Sequence, residues 1–305
     1  MAAKWIDLLD PTKGEVLGNA PCVLADPAVE LLLAKPHHED EPRPTLQAHG
    51  EYVFGVLLVA CVISDEDVVY YQEIDIVATH EALLTVRKTP PGEGRVPYDP
   101  ERVRLAVRDT DSVGMIAYRL VDDVAERYLD LVDDVDAEID ELEDKVEDQR
   151  AALTRERIST LRHDLLHIRR TLAPTRDMVR RIVDDVVEVQ TGPEVFDHDS
   201  EIAFNATYDK LLRALDGLDL ARDLLAGVRD YSQAKIANDQ NEVMKRLTVI
   251  ASLLLPPTFI VGVYGQNFVN IPELHWRWGY YGWSWGLIAV ITAVQLWWFR
   301  RSKWF

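Results

Sequence analysis

The chain has 305 residues, with 52 Asp and Glu against 33 Lys and Arg and a formal net charge of −19. So acidic a chain is the reverse of what a nucleic-acid binder or a protein seeking anionic lipid carries, and cationic partners are favoured. The two cysteines, Cys22 and Cys61, have no paired spacing, which argues against a disulfide framework or a zinc knuckle and for two small buried residues.

The first residues carry Lys4, Asp7 and Asp10 among few apolar ones and lack the unbroken apolar core of a secretory signal, so the soluble part is expected in the cytoplasm. Runs at 52–63, 68–76 and 83–86 are β-branched and aromatic and predict strands. With helical candidates at 27–33 and 100–109 and a Pro- and Gly-rich loop at 89–99, residues 1–111 predict an α+β domain that mixes strands and helices. The run His37-His38-Glu39-Asp40-Glu41 could catch a metal, but between Pro36 and Pro42 it reads more simply as an exposed loop.

From about Ser112, Leu120, Val124, Tyr128, Leu131, Val135, Ile139, Leu142 and Val146 recur in steps of four and three, which reads as the heptad seam of a long helix. Its other faces are crowded with acids, from Asp122 to Asp148, against Arg127 and Lys145. A second helix near 154–184 is opposite in sign, with Arg155, Arg157, Arg162, Arg169, Arg170, Arg176, Arg180 and Arg181. Residues 112–199 therefore predict an antiparallel acidic and basic pair. His163 and His167 stand one turn apart, as in zinc proteases, but Asp164 holds the position of the general-base Glu and the flanking arginines would repel a metal, so packing is the reading.

After a turn at 191–200, apolar periodicity resumes at Ile202 and runs through Leu211, Leu215, Leu218, Leu225, Val228 and Ile236 without a Gly-Pro stop. One continuous helix of about sixty residues, on the order of 100 Å, is predicted, with a stalk at 200–246 entering a membrane span that Pro256-Pro257 bends. No Asp, Glu, Lys, Arg or His occurs from 247 to 272 or from 279 to 299, and each run can cross about 30 Å of hydrocarbon as a helix. Residues 247–305 thus predict a two-helix transmembrane domain around an external loop at 265–279. Lys245 and Arg246 precede the first span and Arg300, Arg301 and Lys303 follow the second, which places both termini inside a multi-pass inner (plasma) membrane protein. Seven of the eight Trp lie between Trp276 and Trp304, at the two edges of the second span, as interfacial belts require.

Several motifs converge on one family. Asn241-Glu242-Val243-Met244-Lys245, Pro256, Thr258-Phe259-Ile260-Val261-Gly262-Val263-Tyr264-Gly265-Gln266-Asn267-Phe268 and Ile271-Pro272-Glu273-Leu274 together resemble the CorA family of divalent metal ion transporters. Trp5-Ile6-Asp7-Leu8-Leu9-Asp10-Pro11, the helix at 119–140 and the basic tail extend the similarity along the chain. The resemblance implies a homopentameric funnel: α+β cytoplasmic domains, then long coiled-coil-like helices converging on a central pore, with a second membrane helix outside. It implies transport of Mg²⁺, with Co²⁺ or Ni²⁺ as companion ions, by a protein that is not an enzyme and has no resident cofactor, its partners being divalent cations, the lipid bilayer and further copies of itself. The resemblance also implies regulation by the transported ion, bridging carboxylates between subunits, but at the family's stalk aspartate this chain has Ala206, leaving Asp209, Asp216 and Asp219 as nearby alternatives. The family's magnesium-associated tripeptide is Gly-Met-Asn, whereas the middle residue here is Gln266. These departures keep open a Zn²⁺ transporter of the same architecture. A membrane-anchored coiled-coil scaffold is the alternative from another class.

Given a shared axis, Asn241, Met244, Leu247, Ala251, Leu255, Thr258 and Gly262, spaced by three and four, form a stripe that would line the pore. Met244 and Leu247 are the gate candidates, because a narrow apolar ring shuts a pore by dewetting. Ordinary helix packing would give the same spacing. Gly265, Gln266, Asn267 and Glu273 are the ion-selectivity candidates at the mouth. Mg²⁺ dehydrates reluctantly, and amides, hydroxyls and carbonyls contact its water shell without stripping it. Gly265 is expected to leave the helix in a left-handed conformation, close to carbonyls carrying partial negative charge. The plainer reading makes Gly265 a helix cap and Asn267 a turn residue, and His275 could favour zinc at the mouth.

Overall fold

Strands form where β-branched and aromatic residues run together: β1 (Lys4–Leu9), β2 (Thr45–His49), β3 (Tyr52–Ile63), β4 (Val68–Ala78) and β5 (Ala82–Arg87). The computed structural model describes residues 3–36, 43–63, 68–92, 94–147, 151–187, 189, 192–266, 275–302 and 304. They divide into two compact units, Met1–Arg229 and Asp230–Phe305. In the first, the strands make one sheet in the order β1-β5-β4-β3-β2, with β1 parallel to β5 and every other pairing antiparallel.

Alternation along the strands sorts side chains to two faces. Tyr52, Phe54 and Val56 pack with Val16, Val29 and Leu32 of helices α1 (Lys13–Asn19) and α2 (Asp26–Leu33). Val53, Leu57 and Val59 join the core built by the long helices on the other side. Beside α2 lies a buried charged triad. The Lys88 ammonium pairs with Glu73 and, at 2.8 Å, with Asp75 Oδ2, and it donates to the Leu31 carbonyl at 2.8 Å. Burial pushes the Asp75 carboxyl up to about 7, against the pull of Lys88 and with help from the Glu73 charge.

A short helix, α3 (Glu101–Ala106), precedes α4 (Val113–Glu147), α5 (Ala151–Val183) and α6 (His198–Tyr264). All eight heptad residues of α4, from Leu120 to Val146, are buried. They meet Ile158, Leu161, Leu165 and Leu172 of α5 and Phe204, Leu211, Leu215 and Leu218 of α6 in the same core. Gly114 lies against Ser200, Asp122 binds Thr207 and Lys210, and Val132 faces Gly217, so α4 and α6 run parallel. Between them in sequence, α5 runs back: Arg157 near its start pairs with Glu138 near the end of α4.

Charge contributes less to this pairing than the sequence led one to expect. Arg169 turns to Asp219 on α6, while Arg176 pairs with Asp177 on α5 itself and Arg180 with Asp184 just past its end. Exposed ion pairs are worth about 0–1 kcal/mol each, whereas burying a leucine-sized side chain stabilises by roughly 1.5–3 kcal/mol, so the apolar seam holds the helices. A second correction concerns the start of α6. Ile202 is 57% exposed, and Phe204 takes the buried position instead, edge-on to Phe196 and Tyr118. Cys61 is buried and Cys22 half-buried, both as free thiols.

The second unit is helical. Here α6 continues through Pro256 and Pro257 to Tyr264, and a π-helical segment, Gly279–Trp285, leads into α7 (Gly286–Arg301). Trp283 Nε1 donates to Tyr264 Oη at 2.7 Å, and Gln295 Nε2 donates to the Ser252 carbonyl at 2.9 Å. Partner numbers that fall on α6 as they rise on α7 define an antiparallel hairpin.

Candidate ion pathway

Beyond Arg229, α6 presents two different faces. One packs on α7: Val249 and Ile260 are buried, and Ser252 and Tyr264 bond to α7 and to the π-helical segment before it. At 3.6 residues per turn, the stripe Asn241, Met244, Leu247, Ala251, Leu255, Thr258 and Gly262 centres about 155° from Val249 and Ile260, with Asn241 at its edge. All seven are exposed, with Met244, Leu247 and Leu255 at 58 to 66%. The partner of this stripe is therefore not α7. From Asn241 to Gly262 it extends roughly 30 Å, enough to traverse a bilayer core.

The chemistry of the stripe changes along its length. It is apolar from Leu255 through Ala251 and Leu247 to Met244. Nearer its Gly262 end, Thr258 Oγ1 donates to the Leu254 carbonyl at 2.7 Å. The hydroxyl proton is thus committed, and the oxygen is left to accept. A hydrated cation turns water hydrogens outward, so acceptors are the groups its shell needs. At Gly262, nothing lies within 4 Å of where a Cβ would stand, which leaves open space beside the backbone.

At the end of α6, the expected left-handed glycine is not found. The described glycines with positive φ are Gly50, Gly92, Gly94 and Gly192, and Gly265 is not among them. Its N–H instead continues the helix to the Val261 carbonyl at 2.8 Å, and Gln266 N–H reaches the Val263 carbonyl at 3.4 Å, tightening the last turn. A Cβ at this position would stand 3.0 Å from the Val261 oxygen, a tight fit. Gln266 and His275 are exposed, and Trp276 packs edge-on to Trp283. Asn267 and Glu273 lie outside the described residues, as does the run from His37 to Glu41.

In the first unit, Asp209, Asp216 and Asp219 are exposed on α6, spaced so that all three share one side of the helix. Asp219 is paired with Arg169. Among the described residues, no group of three or more His, Cys, Asp and Glu side chains could hold a metal ion within one chain. The acidic face of α4 is partly committed: Asp122 and Glu126 both bind Lys210. Burial opposes the charge on Lys210, but hydrogen bonds to Glu126 and Asp122 outweigh it and hold the ammonium above the usual lysine range. His163 and His167 are exposed on α5, and Asp164 beside them has its pKa raised, chiefly by burial.

Three polar constellations escaped the sequence reading: Lys88 with Glu73 and Asp75, Asp122 with Lys210, and Gln295 with Ser252. For the last a signal existed, since a carboxamide inside an uncharged span is unusual enough to ask for a partner.

A water-soluble sheet-and-helix unit and two helices long and apolar enough to cross a bilayer define the class, an integral membrane protein with a large soluble domain. The chain belongs to the family of CorA-like Mg²⁺ transporter proteins, whose model matches residues 3–301, a family of transporters and not of enzymes. It is 30% identical over 297 residues to the cobalt/magnesium transport protein CorA of Thermotoga maritima, across 95% of this chain and 78% of that protein. It is also 27% identical over 255 residues to the zinc transport protein ZntB of Pectobacterium atrosepticum, across 82% of this chain and 68% of that one. Its fold matches the complete structure of the CorA magnesium transporter from Methanocaldococcus jannaschii with a TM-score of 0.79 at 19% identity, over 99% of this chain and 91% of the other. Divalent cation transport is the function common to the family.

Proposed function

We propose that this chain assembles as a homopentamer in the inner membrane and carries Mg²⁺, with Co²⁺ or Ni²⁺ as companion ions, through a central pore. The observation that carries this reading is the exposed stripe on α6 opposite the face occupied by α7. Around a five-fold axis the stripe lines the path, Met244 and Leu247 form its apolar gate, and Gly265, Gln266, Asn267 and Glu273 form the mouth. Both termini lie in the cytoplasm, and the loop at 265–279 faces outside, because the basic residues flank the hairpin at its open end. Neutral oxygens along the path contact the hydration shell of the ion without binding it tightly. Asp209, Asp216 and Asp219 bind cytoplasmic Mg²⁺ between neighbouring copies and favour the closed state.

Gln266 and the similarity to a zinc transport protein support a second reading, Zn²⁺ as the cargo of the same pore. Uptake of Mg²⁺ into liposomes by the purified protein, with Zn²⁺ as competitor, separates the two: weak competition supports Mg²⁺, and zinc uptake at lower concentration than magnesium replaces it. Asn267→Ala is expected to lower uptake by roughly tenfold or more while the oligomer elutes unchanged. Unchanged flux in that variant removes the mouth assignment, and absence of flux from the unaltered protein leaves the scaffold.

A further inference from the structure

Proline has no N–H, so Pro256 leaves the carbonyl four residues earlier, that of Ser252, without its ladder donor. Inside a bilayer no bulk water takes that donor's place, and an unpaired backbone carbonyl there is costly. In this hairpin the neighbouring helix supplies the donor: Gln295 Nε2 lies 2.9 Å from Ser252 O. Gln295 is the sole carboxamide in the uncharged run 279–299. Its Oε1 is buried and has no hydrogen-bond partner among the described residues. An apolar side chain of similar size would avoid burying that oxygen, so packing alone does not account for a glutamine at this position. The amide end that donates does.

We infer that Gln295 is a positioning residue for transport, replacing the donor that Pro256 removes and pinning α6 to α7 where the ladder of α6 is interrupted. The second pin, Trp283 to Tyr264, lies twelve residues along, about 18 Å away. One bond fixes a point; two fix how α6 is rotated against α7. A slip of one residue would turn α6 by about 100° and carry Ala251, Leu255 and Thr258 off the side opposite α7. The inference rests on the pore reading of that stripe, but the bond itself can be tested apart from it.

Gln295→Met keeps the volume and removes the donor, and Pro256→Ala returns an N–H to Ser252. The experiment measures the melting temperature of the full-length oligomer in detergent and Mg²⁺ uptake per assembled oligomer in liposomes. Gln295→Met alone is expected to lower the melting temperature and to reduce uptake roughly tenfold. On the Pro256→Ala background the same change should leave the melting temperature nearly unmoved, because Ser252 then has its own ladder donor. Equal losses on both backgrounds overturn the inference, and so does coupled stability with unchanged uptake in Gln295→Met. If Asn267→Ala leaves uptake intact while the melting temperatures still couple, the pore reading fails and the pin stands. If Asn267→Ala abolishes uptake and the temperatures are additive, the pin fails and the pore stands.

Discussion

One helix, α6, treats leucine in opposite ways along its length. Leu211, Leu215, Leu218 and Leu225 are at most 5% exposed, whereas Leu247, Leu254 and Leu255 are 58 to 66% exposed and Phe259 reaches 72%. In the first stretch charged residues recur between the leucines, so the position of a residue around the helix decides whether it meets water. In the second no charge occurs from 247 to 272, and apolar residues cover every face. Exposing apolar surface to water costs about 25 cal/mol per Å². The second stretch is stable only with hydrocarbon, or another copy of the chain, around it. The lesson is that burial within one chain diagnoses a core only where water is the solvent.

The sharpest way to break this comparison is the same substitution in both stretches. Leu211→Ala opens a cavity in the seam between α4, α5 and α6 and is expected to destabilise by about 2–5 kcal/mol. Leu254→Ala removes an exposed side chain and is expected to cost under about 1 kcal/mol. Thermal unfolding of the detergent-solubilised protein, followed by near-ultraviolet circular dichroism, would compare them. A loss at Leu254 equal to that at Leu211 would mean that another copy covers it as tightly as the seam covers its partner.

A second difference lies in what each unit buries besides carbon. The first buries two carboxylates and an ammonium around Lys88, and the second buries the neutral amide oxygen of Gln295. Asp75 rises from 3.8 to about 7 on folding, so the native state binds its proton more tightly than the unfolded chain. The stability tied to that proton is complete below about pH 4 and is lost as pH rises through about 7. Asp75→Asn should therefore flatten the dependence of melting temperature on pH, with a gain at the alkaline end. An unchanged slope in the variant would remove Asp75 as its source.

Much of this contrast was legible in the sequence, for stated reasons. The seam of α4 announced itself because eight apolar residues recur in steps of three and four, and all eight are buried. The length of α6 was legible because no Gly-Pro stop falls between Ser200 and Leu255, and the membrane-length runs because charge is missing from them. Partners were not legible. A period shows which face of an element is apolar but not what sits opposite, so neither the turn of Arg169 toward Asp219 nor the bond from Gln295 to Ser252 could be read. The stripe on α6 was visible by spacing, yet its place opposite α7 required the hairpin register. Gly265 misled because glycine permits both hands, and the hydrogen bond to Val261 decided between them. Ile202 misled because the chain before α6 brings Phe196 against Phe204 and moves the buried position by two residues.

The smallest expected effects come from two glycines in the water-soluble stretch of α6, and they test whether packing or propensity governs it. At Gly217 an added Cβ would stand 2.8 Å from Val132 Cγ1, while at Gly227 nothing lies within 4 Å. Alanine at either position gains helix propensity, up to about 1 kcal/mol. At Gly227 that gain is unopposed, and Gly227→Ala should stabilise by roughly 0.5–1 kcal/mol. At Gly217 the methyl must push α4 and α6 apart or displace Val132, and overpacking costs about 1–3 kcal/mol, so the net sign reverses. Melting temperatures that move in opposite directions support the close parallel approach of α4 and α6. If both variants gain equally, the contact between Gly217 and Val132 is loose, and the seam on α4 rests on α5 more than on α6.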